Sequence, residues 1–139
     1  VSEFNRKANL LNKFNVDEKN NFMESCLSQG KAEHGYHLLC KLGCMQVLFA
    51  DTYHYLKEDH DWIQAEMKNT AKHQSISMPI VYSSFATSIN RWSGNNKIAR
   101  MSELFNILEG PKIAGHMRAA AERREQFYSG QYNALTFNK

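Results

Sequence analysis

Two prolines and seven glycines are few for a chain of 139 residues. So small a supply of turn-formers argues against a sandwich or barrel built from many short strands. Long apolar runs are also missing. The densest stretch, residues 44–50, is interrupted by Gln46 and falls far short of the roughly 20 residues that cross a bilayer. Residues 1–7 lead into no apolar core, so no secretory signal is expected there. Three cysteines make an odd set with no disulfide-scaffold spacing, and a reducing, cytoplasmic setting is the simpler expectation. Catalytic signatures are absent as well. There is no GxSxG elbow, no phosphate-cradling P-loop, no HExxH and no GxGxxG. No Glu-x-x-His occurs, which removes the usual ligand set of a di-iron helical bundle.

What is present is helical periodicity from end to end. Phe4, Ala8, Leu11 and Phe14 recur at steps of four, three and three, one face of an amphipathic helix. Asp17 stands where an N-cap would open a second helix, with Phe22, Met23, Cys26 and Leu27 inward and Gly30 as its stop. Residues 31–57 carry the strongest pattern, Leu38, Leu42, Met45, Phe49, Tyr53 and Leu56, and read as one long central apolar helix. Asp59 or Asp61 caps the next helix, whose inner face holds Trp62, Ile63 and Met67. Pro79 suits the first turn of a helix lined by Val81, Phe85, Ile89 and Trp92. A further helix carries Ile98, Met101, Phe105 and Leu108, and Gly110-Pro111 then stops one helix and starts another. That last helix places Ile113, Met117, Ala120 and Phe127 inward, and residues 130–139 form an irregular tail. The expected fold is therefore all-α: a single compact domain over residues 1–139, about six or seven helices around residues 31–57.

Charge is distributed unevenly. Residues 1–75 hold nine Lys/Arg against ten Asp/Glu, a balance of −1, whereas residues 76–139 hold eight against four, a balance of +4. A basic second half suits a polyanionic partner. Thr87 to Asn96 sets polar residues around Ile89 and Trp92 ahead of a glycine, much as the recognition helix of a helix-turn-helix does. The preceding residues break that motif, because Pro79 and Ser83-Ser84 stand where a helix and a tight glycine turn belong. The last helix adds Lys112, His116, Arg118, Arg123 and Arg124. Asn90, Arg91, Lys97, Arg100, Arg118, Arg123 and Arg124 are accordingly the expected nucleic-acid-binding residues.

His37, Cys40 and Cys44 fall within about 60° of one another on a continuous helix, and imidazole and thiolate are good zinc ligands. Without the CxxC of a zinc knuckle, the cysteines are better read as small apolar packers around Gly43, so neither metal nor cofactor is expected. Two functions follow as expectations. One is a small, non-enzymatic accessory or regulatory protein whose basic half contacts nucleic acid or a nucleoprotein complex. The other is a helical protein–protein interaction module, possibly homo-oligomeric, with no nucleic-acid role and no membrane contact.

Overall fold

In the computed structural model of this chain, residues 7–93 and 110–132 are described. Those residues are helical, with no strand among them. A 3-10 turn, Leu10–Lys13, precedes α1, Val16–Leu27. The cap of α1 is Asn15, two residues before the expected Asp17. The Asn15 side chain accepts from the Glu18 N–H at 2.8 Å, and the Glu18 carboxylate accepts from the Asn15 N–H at 3.0 Å. This reciprocal box satisfies two free donors, and it leaves Asp17 in the first turn, where its charge favours the helix N-terminus.

Gln29 and Gly30, with φ of 56° and 81°, turn the chain back into α2, Ala32–Lys41. The two helices meet at Gly35, where an added Cβ would lie 1.9 Å from the carbonyl oxygen of Cys26. Only the lack of a side chain allows that approach.

The expected continuous helix over residues 31–57 is three helices: α2, then α3 (Cys44–Leu48) and α4 (Tyr53–Glu58). Gly43 adopts φ 80°, a left-handed conformation that ends α2, and residues 49–52 turn the chain again before α4. The inner face of α2 shifts accordingly. Ala32, Gly35, Tyr36 and Leu39 are buried, while Leu38 is 37% exposed and Leu42 half-buried. Met45, Phe49 and Leu56 do reach the core.

After α4 come α5 (His60–Thr70), α6 (Met78–Trp92) and α7 (Gly110–Tyr128). The expected helix around residues 98–108 lies outside the described residues. Trp62, Ile63 and Met67 of α5 are fully buried, as is the Val81, Phe85, Ile89 row of α6. The helix surrounded by its neighbours is α6, which packs against α4, α5 and α7 and is buried at every position from 81 to 89. Its buried serine and threonine hydroxyls tolerate this because each finds an acceptor. Ser83 donates to the Ile80 carbonyl at 2.6 Å, Thr87 to the Met117 carbonyl at 3.4 Å, and Ser88 to the Tyr55 carbonyl at 3.2 Å. Small side chains also let α7, the neighbour with the most extensive contact, lie close.

Candidate functional site

Two carboxylates, Asp59 and Glu66, stand seven residues apart, two turns along one face of α5 and its N-cap. Each is wholly buried. A buried carboxylate is costly unless its lone pairs are met by donors, and both are.

The guanidinium of Arg123 lies alongside Glu66. Its Nε donates to Oε2 at 2.9 Å and to Oε1 at 3.1 Å, and its Nη2 to Oε1 at 3.0 Å. Ser84 of α6 donates to Oε1 at 2.7 Å, and the Tyr132 hydroxyl donates to Oε2. Burial, followed by the charge of Glu66, pushes the Tyr132 phenol above its ordinary value, so it remains the proton donor.

Asp59 receives a parallel set. Arg124 donates from Nε and Nη2, each at 2.9 Å, Tyr128 donates at 2.9 Å, and the Trp92 indole N–H donates at 3.1 Å. Burial alone would raise the Asp59 carboxyl, but donation from Arg124 and Tyr128, with the Arg124 charge, outweighs it and holds the group below the ordinary range. Tyr128 is pushed up to about 12, by burial and then by Asp59. The Arg124 guanidinium sits 4.8 Å from the Tyr128 ring centroid and 5.8 Å from that of Trp92, a cation–π arrangement. Each carboxylate thus takes one arginine and one tyrosine from the C-terminal segment and a donor from α6.

The expected nucleic-acid residues divide sharply. Arg123, 1% exposed, and Arg124 point inward onto Glu66 and Asp59, so neither belongs to an exposed basic face. The physical reason is helical phase: Ala120 is buried, and residues three and four further along continue its row. Arg118 is exposed, with its Nε 3.9 Å from Glu122 one turn on. Asn90 and Arg91 are exposed at the end of α6. Lys97 and Arg100 lie outside the described residues. A surface depression of about 680 Å³ beside Arg91 is also lined by Arg124, Glu122 and Glu125. The carboxylates there oppose a polyanion.

His37, Cys40 and Cys44 are not drawn together either. His37 is exposed on α2, and the Gly43 break carries Cys44 into α3. Among the described residues no three His, Cys, Asp or Glu side chains are grouped to hold a metal ion. Cys44 instead shares the wall of a surface groove with Cys26. Burial raises both thiols above their ordinary value, which leaves them protonated and apolar in character.

That groove, about 280 Å³, opens between α1 and α2. Phe22, Leu38, Leu39 and Leu42 form its wall with the two thiols, and Lys31 and His34 stand among its lining residues. A second depression of about 270 Å³, lined by Ala8 and Leu11 among others, continues it through the shared residues Phe22, Leu42 and Cys44. Reading residues 31–57 as one helix placed Leu38 and Leu42 on the buried stripe and so hid this surface.

The described residues therefore define an all-helical protein with an internal pair of carboxylate clamps and an apolar surface groove. Among them, no helix is long and apolar enough to cross a membrane. No protein-family model, curated protein or solved structure matches the chain.

Proposed function

We propose that this chain is a helical protein–protein interaction module whose contact surface is the groove between α1 and α2. The observation that carries the proposal is the groove wall of Phe22, Leu38, Leu39, Leu42 and two protonated thiols, open on the protein's surface. Apolar area left in water is a source of binding free energy, about 25 cal/mol for each Å² covered. Grooves of this chemistry seat the apolar face of an amphipathic helix. In this role the chain acts by binding and performs no reaction of its own.

Nucleic-acid contact is the second function, and one observation favours it. Asn90 and Arg91 are exposed next to Trp92, which is itself 45% exposed, so a cation and a stacking surface adjoin. It has less support, because Arg123 and Arg124 are engaged with Glu66 and Asp59.

The two are separated by one pair of measurements. Amphipathic helical peptides selected against the intact protein should bind at least about tenfold more weakly to Leu38→Lys, since one buried aliphatic contact is worth that much. Mixed-sequence duplex and single strands should show no steeply salt-dependent binding. Peptides indifferent to Leu38→Lys would sink the groove as the contact surface. Tight nucleic-acid binding that weakens steeply with salt and is lost in Arg91→Ala would replace it with the polyanion role.

A further inference from the structure

We infer that the groove is occupied by a second copy of this chain, through that copy's own N-terminal apolar knob. The inference rests on the groove being a protein-binding surface. Leu10, at the head of the 3-10 turn, is 53% exposed, and Val16, the first residue of α1, is 48% exposed. Neither fills a groove of its own chain, since both stand in solvent. The segment between them is held from beneath. Phe14 packs edge-on against Phe22 at 6.3 Å, and the Asn15–Glu18 box fixes the entry to α1. The knob is therefore presented by a built turn.

Charge completes the match. Asp17 and Glu18 are exposed immediately after Val16, and along α1 the acids Asp17, Glu18 and Glu24 face a single cation, Lys19. Among the described residues that line it, the groove has Lys31 and His34 and no acid. An apolar projection followed by carboxylates meets an apolar concavity edged by bases, which favours this pairing and disfavours groove on groove. Because knob and groove are different surfaces, the contact is head-to-tail. Each copy that uses its knob keeps its groove available for another, so association continues into a closed ring or an open chain, as the rotation between copies dictates.

The decisive experiment is complementation in trans, read by sedimentation velocity of the whole chain over a concentration series. The wild-type chain should associate. Leu38→Lys, which spoils the groove, and Leu10→Ser with Val16→Ser, which removes the knob, should each weaken self-association about tenfold or more. All three substituted positions are exposed, and circular dichroism melts of both variants should match wild type. Mixing the two should then form a one-to-one heterodimer and nothing larger, because the mixture holds one intact groove and one intact knob per pair.

A wild-type chain that stays monomeric at about 1 mM would overturn the inference, as would association that survives both variants. So would a mixture that remains monomeric. A monomeric wild type that still binds selected peptides in a Leu38-dependent way would remove the second copy while leaving the groove as a protein-binding surface. If both self-association and peptide binding are missing, the groove proposal falls too.

Discussion

Where α5, α6 and α7 meet, every group converging on Glu66 and Asp59 brings a proton to donate. Where α1 and α2 meet, the surface is mainly carbon and sulfur, and Leu38 stays exposed there among the described residues. In the first region, charge has been taken out of water and fully repartnered, and the C-terminal helix is fastened to the rest. In the second, apolar side chains outnumber what the core can cover. Leu39 and Tyr36 are inside, and Leu38 is left at the surface. One region is specified by interactions complete within the chain, and the other leaves apolar side chains such as Leu38 at the surface. Stability should therefore reside in the first and association in the second.

The largest effect should come from the clamp. Arg123→Ala leaves the Glu66 carboxylate buried beside only two hydroxyls and should cost about 3–5 kcal/mol in denaturant unfolding, the usual result of breaking a buried pair from one side. Replacing both Glu66 and Arg123 by Met should recover a large part of that loss, since no charge is then stranded. If the double variant is no better than the single, the region depends on its polar network rather than on filled volume.

Gly35→Ala should cost about 3 kcal/mol, the upper end for forcing extra volume into a packed contact, because the new methyl meets the Cys26 backbone and not a movable side chain. Unchanged stability would mean that α1 and α2 separate freely and that the groove between them is plastic. Asp59→Asn should cost about 1.5–3 kcal/mol at neutral pH, the worth of hydrogen bonds to a charged group. It should also change the acid limb of the stability profile. The folded carboxyl is depressed below the ordinary 3.8, so its contribution is complete above that pH. As pH falls below 3.8, the unfolded chain takes up a proton that the folded one refuses, and the contribution is lost toward the depressed value. Thermal midpoints of wild type and Asp59→Asn should converge as pH drops through this window; parallel curves would assign the acid sensitivity elsewhere. Leu38→Lys should be the mildest for folding, within about 0.5 kcal/mol, while it removes the contact made by the groove.

Much of the fold is legible in the residue pattern because burial repeats with helical period. Trp62, Ile63 and Met67, or Val81, Phe85 and Ile89, can be assigned inward from spacing alone, and all six are buried, whereas Trp92, the fourth of the α6 row, is 45% exposed and only its indole N–H reaches inward to Asp59. The interruptions of residues 31–57 are harder to see. Apolar residues continue through both turns, so periodicity persists where the backbone does not, and Gly43 is the one local sign. The clamps escape the residue pattern for a different reason: by type alone Asp59 reads as a helix cap and Arg123 and Arg124 as cations for a polyanion. Their phase pointed the other way. Asp59 and Glu66 bracket Trp62 and Ile63 on the apolar side of α5, and Arg123 and Arg124 follow Ala120 by three and four. Adjacent residues on a helix diverge by about 100°, so two neighbouring arginines do not share one basic face. Ser84 of the nine-residue buried run was a further sign, since a buried hydroxyl implies an acceptor nearby.

The sequence distance across the clamp has a kinetic consequence. Glu66 waits for Arg123, 57 residues on, and Tyr132, 66 residues on, whereas the Asn15–Glu18 box and the Gly35–Cys26 crossing close over short loops. This separation predicts that the carboxylate stays hydrated until α7 docks and sheds that water late on the way to the native state. Arg123→Ala should then steepen the loss of the protein mainly by hastening unfolding, with the refolding arm of its chevron nearly superimposed on that of wild type. A slowed refolding arm would instead put α7 in the nucleus. With a late clamp, the lifetime of the folded chain is set by how rarely one helix lets go of two carboxylates at once.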